Sequence, residues 1–243
     1  MKKTQLVVTA VVNENDIFSR AGFPVTKNLI TIKGVPILGH VMREYLDKKL
    51  AISVVLLKKE IENFQTDLVL KEFDPNIRVV AVNDVPAGAL CTALLGVDYG
   101  NLDSPLVVAP GDSITKSDTR LALDYFSKSN VDAGTMVFES ENPEYSYVRV
   151  NQEGRITEIA EKRIISNFAT TGLFYFRNVH TFLEGANWAL VNATNYNGQY
   201  FMSHSFHRIL ALGKSTAVFR VSKKDNYESY RNPGELMKRL ENY

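Results

Sequence analysis

A glycine and an aspartate follow a buried apolar run in the middle of the chain. Residues 105–109 have the composition of a buried strand, and Gly111 and Asp112 come directly after it. Glycine lets the backbone approach a ligand closely, and a carboxylate at a strand tip can hold a hard cation. Asp112 is therefore the leading candidate metal ligand. The alternative interpretation is that Asp112 caps the turn or the segment that follows.

The elements that would position these residues follow from alternating strand and helix patterns. In order, the first half is predicted to contain strand 6–12, helix 36–50, strand 52–57, helix 61–73, strand 77–82, helix 88–97, strand 105–109 and a helix around 121–126. Crossovers of this length imply parallel strands. Because ligands sit at the carboxyl ends of such strands, the loops after Val12, Val82 and Ala109 are the first places to look for a site.

The second half of the chain has a different pattern. It is predicted to contain strands 135–139, 145–150, 155–160 and 170–176, helices 179–191 and 203–212, strand 216–221 and a last helix that opens at 232–235. A hairpin connection at 151–154 makes this half antiparallel in places. With no linker or repeat in the sequence, we expect a single α/β domain, residues 1–243, with a parallel first half and a more antiparallel second half.

Composition excludes several classes of protein. The 28 basic residues nearly balance the 27 acidic ones, so no global field favours nucleic acid or an anionic membrane. The apolar run near the N-terminus is too short for a membrane span, and its polar break comes too early for a signal peptide. The single cysteine, Cys91, excludes an internal disulfide and fits a reducing cytosol. We therefore expect a cytoplasmic protein with no membrane insertion.

The segment between the first strand and the first helix carries a more specific signal. Residues 22–37 begin with Gly22 and Phe23, contain Lys27, and end with a glycine-x-proline-hydrophobic sequence. This run resembles the signature of sugar-1-phosphate nucleotidyltransferases. Further stretches are similar to that family, and the last three resemble a capsule-associated branch of it: residues 85–95, 146–148, 154–162 and 165–176.

The resemblance implies a fold, a reaction and a set of partners. The fold would be a three-layer αβα sandwich with a mixed, mainly parallel sheet, related to that of GT-A glycosyltransferases. The reaction would join a nucleoside monophosphate from a nucleoside triphosphate to a sugar phosphate or similar small phosphate, with Mg²⁺ as cofactor and release of pyrophosphate. Such a product would serve surface or capsule polysaccharide biosynthesis. A homo-oligomer remains open.

The resemblance also implies roles for individual residues. Lys27 falls where the family has a lysine, and its ammonium would screen phosphate charge. Glu161 would accept hydrogen bonds from sugar hydroxyls, Lys162 would hold phosphate oxygens, and Gly172 would leave room for a sugar ring. The implied nucleotide-binding residues are Ala10, Asn13, Gly88, Ala89 and Gly111. For the charged pair the alternative is a solvated surface pair, and for the glycine it is tight packing in a strand.

The loop after the first strand departs from the family pattern. Its two glycine positions are Asn13 and Asn15 here, and its arginine position is Ile17, which cannot donate a hydrogen bond. Glu14 and Asp16 add negative charge where phosphates would lie. Arg20 is a nearby candidate for the missing positive charge, although the sequence does not give its direction.

Two further departures lie later in the chain. Residues 230–233 stand in place of the family's leucine-glycine-threonine-proline, and the position of a second metal carboxylate is Ser229. Asp225 or Glu228 could take that role by a small shift. Gln199 stands where the branch usually has glutamate. All these departures remove charge or geometry that phosphoryl transfer uses.

Three functional hypotheses remain. The leading one is a magnesium-dependent nucleotidyltransferase, because Lys27, Asp112 and Lys162 are all present. The second is a protein of the same fold that has lost turnover and binds a nucleotide or sugar, or supports a partner enzyme. The third is a glycosyltransferase, for which residues 11–16 are a faint hint without a clear Asp-x-Asp motif.

Overall fold

The structure, a computed structural model, describes residues 3–13, 16–46, 50–116, 118–193, 195–222, 226–234 and 236–237. Its strands are β1 (Gln5–Thr9), β2 (Thr31–Ile32), β3 (Val35–Pro36), β4 (Ala51–Leu57), β5 (Arg78–Val82), β6 (Leu106–Pro110), β7 (Ser113–Ile114), β8 (Ala133–Glu139), β9 (Tyr147–Val150), β10 (Ile156–Ala160), β11 (Phe168–Phe176), β12 (Thr216–Arg220) and β13 (Glu228–Ser229). Its helices are α1 (Ile17–Arg20), α2 (Ile37–Arg43), α3 (Lys58–Phe64), α4 (Thr66–Phe73), α5 (Ala89–Gly96), α6 (Asp118–Ser129), α7 (Val179–Asn192) and α8 (Met202–Ala211), and a 3₁₀ turn spans Lys27–Leu29.

Nine of these strands form one mixed sheet. In its first half, β1 lies between β4 and β6 and is parallel to both, while β5 extends the sheet beyond β4. In its second half, β11 runs antiparallel to β6, β8 and β9, and β10 runs antiparallel to β9. The exception is β12, which is parallel to β8. The predicted change from parallel to more antiparallel pairing is confirmed.

Both faces of the sheet are covered because β1 is apolar on both sides. Leu6 and Val8 pack in one core cluster with α2, whereas Val7 packs in the other with α5. Successive side chains of a strand point to opposite faces, so one short strand feeds both cores. The result is the predicted α/β class: a three-layer sandwich with a mixed central sheet.

The predicted elements differ from the observed ones mainly at their ends. The strand predicted over 6–12 ends at Thr9, although the amide of Ala10 still bonds to the carbonyl of Val55. The helix predicted over 61–73 is divided in two, because Gln65 adopts the left-handed conformation with φ 54°. The last helix, predicted to open at 232–235, begins at residue 233, and Glu235 lies outside the described residues.

Candidate active site

A cavity of about 530 Å³ opens at the edge of the sheet where β1 and β6 end. We call it the cleft. Eight of the ten residues predicted from the sequence line it: Ala10, Lys27, Ala89, Gly111, Asp112, Glu161, Lys162 and Gly172. Residues far apart in the sequence meet there because the carboxyl ends of parallel strands share one edge of the sheet.

The floor of the cleft depends on a close approach between the ends of β1 and β6. The amide of Gly111 donates to the carbonyl of Thr9 at 3.0 Å. A Cβ at position 111 would lie 2.7 Å from the Cβ of Ala10, so a larger residue would force the two strand ends apart. Gly111 therefore has a packing role in addition to any contact with a ligand.

Asp112 lies between two cations. Its Oδ2 accepts a 2.6 Å hydrogen bond from the Nζ of Lys27, and its Oδ1 lies 3.7 Å from the Nε of Arg231. Both Lys27 and Asp112 are largely buried, with side chains 16% and 14% exposed. Burial alone would raise the pKa of Asp112, but the Lys27 and Arg231 charges outweigh it and hold that pKa below its usual value.

Lys27 is positioned by its neighbour Asn28 on the 3₁₀ turn. The buried amide of Asn28 donates to the carbonyl of Ala10 at 2.8 Å and to the carboxylate of Glu60 at 3.0 Å. Burial raises the pKa of Glu60, and the bonds from Asn28 partly offset that rise. The turn that carries Lys27 is thus tied to the end of β1. Sequence analysis did not find this role for Asn28.

Arg231 is a residue of the cleft that sequence analysis noted only as a departure from the family pattern. A short antiparallel pairing of β13 with β7 sets Ser229 opposite Ser113, and the amide of Tyr230 donates to the carbonyl of Asp112 at 2.8 Å. These bonds bring the next residue, Arg231, beside Asp112. No local pattern in the sequence indicates this pairing, because it joins segments more than 100 residues apart.

A buried aspartate, Asp118, holds the residues that precede β13. Asp118, only 1% exposed, accepts hydrogen bonds from the backbone and hydroxyl of Ser222 and from the amide of Asn226. Asp118 opens α6, so it ties the segment before β13 to a helix of the core. Two sets of contacts therefore hold the chain before Arg231: Asp118 binds Ser222 and Asn226, and β13 pairs with β7.

Glu161 is a second carboxylate in the lining of the cleft. Its Oε2 accepts hydrogen bonds from the hydroxyls of Ser146 and Ser203, the latter at 2.6 Å. One oxygen of the carboxylate is thus held by two protein donors. Neither serine was selected from the sequence, since their contact with Glu161 depends on how β10, α8 and the loop before β9 pack together.

Lys162 follows Glu161 in the left-handed conformation, with φ 49°. Its ammonium lies over two aromatic rings, 4.7 Å from the centroid of Tyr196 and 5.2 Å from that of Phe201. Cation–π contacts of this kind hold an ammonium without neutralising its charge. Lys162 therefore presents a positive charge to the cleft that Lys27 also lines.

Two glycines shape the walls. Gly172 has φ 92°, and a Cβ there would lie 3.1 Å from Pro110 and 3.3 Å from the Nη2 of Arg231. Gly88 has φ 94°, and a Cβ there would collide with the backbone of Tyr200, whose amide bonds to the carbonyl of Ala87. Gly88 itself is outside the cleft wall, which Ala89 forms. Its role in the structure is to let two backbone segments touch.

Residues 10–12, directly after β1, line the cleft, but Asn13 does not. Asn13 and Asp16 line a second, smaller cavity of about 220 Å³, not the first. The carboxylate of Asp16 accepts from the amides of Phe18 and Ser19 and caps α1, so its charge is directed at its own helix and not at the phosphate region. This corrects the expectation for Asp16. Glu14 and Asn15 lie outside the described residues.

The residue at the arginine position of this loop, Ile17, and its suggested substitute, Arg20, both lie outside the cleft lining. Ile17, at the aligned position, is 45% exposed. Arg20, the suggested substitute, is exposed and donates from Nε to the carbonyl of Asp16 at 3.3 Å. Among the residues that the structure describes, the third cation in the cleft wall is Arg231, beside Lys27 and Lys162.

The suggested second metal ligand is engaged elsewhere. One oxygen of Glu228 pairs with Lys116 at 3.0 Å and the other accepts from the hydroxyl of Tyr230 at 2.7 Å. Ser229 does line the cleft, and Asp225 lies outside the described residues. Within the described ranges, no group of three acidic, histidine or cysteine side chains is placed to hold a metal ion.

Comparison with known proteins identifies the family. A family model described as nucleotidyl transferase matches residues 23–208, and the chain therefore belongs to the nucleotidyl transferase family. The match includes eight of the ten predicted site residues; Ala10 and Asn13 precede it. The chain is accordingly a nucleotidyltransferase.

Solved structures share the fold over nearly the whole chain. The nucleoside-diphosphate-sugar pyrophosphorylase from Vibrio cholerae RC9 superposes with a TM-score of 0.80 at 14% identity, covering 97% of this chain and 99% of that one. The inositol-1-phosphate CTP transferase from T. maritima superposes with a TM-score of 0.74 at 19% identity, covering 98% and 96%. At these identities the likeness establishes the fold.

Two negative findings complete the comparison. A search of curated protein sequences gives no match. Of the helices in the described part of the chain, none is both long and apolar enough to span a membrane.

Proposed function

We propose that this nucleotidyltransferase joins a nucleoside monophosphate from a nucleoside triphosphate to a sugar phosphate or similar small phosphate. The observation that carries the proposal is the convergence of Lys27, Asp112 and Lys162 on one cleft. Both lysines line this cavity, whose volume is about 530 Å³. We further propose that residues 1–243 act as a single domain.

The proposed reaction is an in-line displacement at the α-phosphorus of the triphosphate. An oxygen of the acceptor phosphate forms the new P–O bond as the bond to the bridging oxygen breaks, and the electron pair of that bond leaves with pyrophosphate. The acceptor phosphate is already an anion, so positioning and charge stabilisation carry most of the catalysis. Lys27 would neutralise the triphosphate, and Lys162 would hold the acceptor phosphate.

The acceptor side of the cleft is the proposed sugar site. Glu161 has one oxygen held by Ser146 and Ser203, which orients the carboxylate and leaves Oε1 for a sugar hydroxyl. Gly172 lines the cleft, and its lack of a side chain would let a sugar ring approach the backbone beside Pro110. Ala10, Ala89 and the backbone at Gly111 would contact the nucleotide.

Members of this family generally use a divalent metal ion, and Asp112 offers a suitable atom. Its Oδ1 is buried and has no hydrogen-bond partner among the described residues. Mg²⁺ commonly binds one or two carboxylates and completes its shell with substrate phosphates and water. We propose that Asp112 would hold Mg²⁺ through Oδ1. When bound, the ion would withdraw charge from the triphosphate oxygens.

The resemblance of residues 146–148, 154–162 and 165–176 to a capsule-associated branch supports a role in surface polysaccharide biosynthesis in the cytoplasm, where nucleoside triphosphates are available. A second candidate function is a binding protein that has lost turnover. It is favoured by one observation: the segment that would supply a phosphate-binding arginine instead carries the exposed Ile17, outside the cleft.

Pyrophosphate release distinguishes the two candidates. The protein is incubated with each nucleoside triphosphate, Mg²⁺ and a panel of sugar phosphates, beside the variants Lys162→Met and Lys128→Met. Lys128 is an exposed lysine on α6, distant in sequence from every cleft residue, and serves as the matched control. We expect release with at least one pair of substrates, loss of it in Lys162→Met and none lost in Lys128→Met. Background release with every pair, together with calorimetric binding of a nucleotide, would instead establish the binding protein.

A further inference from the structure

Arg231 is a charged side chain that the proposed reaction does not yet use. Its side chain is 40% exposed and lines the cleft, with Nε 3.7 Å from Oδ1 of Asp112. The guanidinium lies 5.6 Å from the ring centroid of Tyr145, and its Nη2 lies beside Gly172. It therefore sits between the carboxylate proposed for the metal and the wall proposed for the acceptor.

The backbone at Arg231 is held in place independently of any ligand. The β7–β13 pairing and the bond from Tyr230 to Asp112 fix it on one side, and Asp118 fixes the preceding segment. A cation on a fixed backbone loses less conformational freedom when it binds an anion. This is the property expected of a residue that grips a ligand.

The contact between Arg231 and Asp112 is a loose one. Lys27 donates to Oδ2 of Asp112 at 2.6 Å, whereas the Nε of Arg231 lies 3.7 Å from Oδ1, beyond hydrogen-bond distance. The carboxylates of Asp112 and Glu161 both attract the guanidinium. Arginine presents several donors in a planar arrangement that matches a phosphate group. The guanidinium is thus of the right kind and in the right place to meet a polyphosphate.

We propose that Arg231 is a built-in counter-cation of the polyphosphate site, sharing Oδ1 of Asp112 with the divalent metal ion. Arg231 binds the phosphate chain directly, and in doing so it supplies part of the charge that a metal ion otherwise brings. Polyphosphate binding then depends only partly on Mg²⁺. This inference rests on the proposed function, because it takes the same cleft as the triphosphate site.

The test is calorimetric binding of inorganic triphosphate, measured in EDTA and in saturating Mg²⁺. The variants are Arg231→Met, which keeps the length without the charge, Arg231→Lys, which keeps the charge, and the control Lys128→Met. We expect the unaltered protein to bind in EDTA and Arg231→Met to bind about tenfold more weakly there, as expected for loss of a charge-assisted contact. Mg²⁺ should restore most of the affinity of Arg231→Met, because Oδ1 is then left to the metal ion. Arg231→Lys should lie between the two.

Several results would overturn the inference. They are loss of all binding in EDTA by the unaltered protein, equal affinity of the unaltered protein and Arg231→Met in EDTA, or failure of Mg²⁺ to restore Arg231→Met. If Arg231→Met does not fold, absence of binding in EDTA by the unaltered protein still overturns the inference, and so does equal affinity of Arg231→Lys and the unaltered protein in EDTA. Triphosphate binding without turnover would count only against the proposed reaction, whereas turnover with an Arg231→Met that binds normally would count only against the role of Arg231.

Discussion

Replacing Lys27 by methionine and Asp112 by asparagine, singly and together, measures the ion pair at the floor of the cleft. The two groups are 2.6 Å apart, and their side chains are only 16% and 14% exposed. Removing one partner of a fully buried pair costs about 3–5 kcal/mol, while an exposed pair contributes at most about 1 kcal/mol. The pair of Lys27 and Asp112 is mostly but not fully buried, so we expect a cost between these two values.

The two single variants should differ. Asp112→Asn leaves Lys27 and Arg231 facing one another without an anion, so we expect it to lower the free energy of unfolding by about 2 kcal/mol. Lys27→Met leaves Asp112 still paired with Arg231, so we expect a loss of about 1 kcal/mol. For a chain of this size these losses correspond to melting temperatures lower by about 4–8 °C and 2–4 °C.

Urea denaturation followed by circular dichroism gives the coupling energy of the pair. We expect the double variant to be less destabilised than the sum of the singles, by about 1 kcal/mol. The matched control is the exposed pair Lys58 and Glu62, 3.7 Å apart on α3, whose coupling should be at most about 0.5 kcal/mol. Additivity of Lys27→Met and Asp112→Asn within about 0.3 kcal/mol would refute the direct contact.

Three further predictions concern the surroundings of the cleft. Gly88→Ala should destabilise the protein by about 3 kcal/mol in thermal melts, because the new Cβ adds a collision with the backbone of Tyr200 to the strain of a positive φ. Gly154→Ala has the same kind of strain but open space around the new Cβ, so it should cost about 1 kcal/mol. Equal losses in the two variants would contradict the close approach at Gly88. Burial lowers the pKa of His204, so the neutral side chain stabilises the fold fully above about pH 6.5, and this stabilisation is lost as the pH falls through the folded-state pKa. The melting temperature should therefore fall less on acidification in His204→Asn than in the unaltered protein. The same pH dependence in both proteins would contradict this role of His204. Asp118→Ala should weaken triphosphate binding although it lies outside the cleft wall, because it releases the segment that carries Arg231, and unchanged affinity would show that the β7–β13 pairing is sufficient.

The sequence predicts the strands of the sheet well because their signal is local. The runs at 52–57, 77–82 and 105–109 are mainly apolar and bounded by turn residues, and each lies within one residue of the observed strand at either end. The strands β4 and β6 are buried and need apolar side chains at nearly every position, so the pattern is present in the run itself. The edge strand β5 is only partly buried, but it keeps four apolar residues in a row after Arg78. The helix predicted over 179–191 is also observed within one residue, as Val179–Asn192.

Residues of the cleft are predicted when they lie at strand ends and missed when a distant partner positions them. Asp112 follows a strand, and its place in the cleft follows from the topology of the sheet. Ser203 reaches Glu161 across 42 residues, and Arg231 reaches Asp112 across a pairing of two residues per strand. Neither contact leaves a periodic pattern in the sequence. Asp16 was misassigned because a cap and a charged loop have the same composition.

A crystal structure of the protein with a nucleoside triphosphate and a sugar phosphate tests most directly whether this cleft is the catalytic site. We predict that the triphosphate lies against Lys27 and Arg231, that the acceptor phosphate lies against Lys162, and that Glu161 faces a sugar hydroxyl. A triphosphate bound elsewhere on the surface, with none of these side chains in contact, would contradict the assignment.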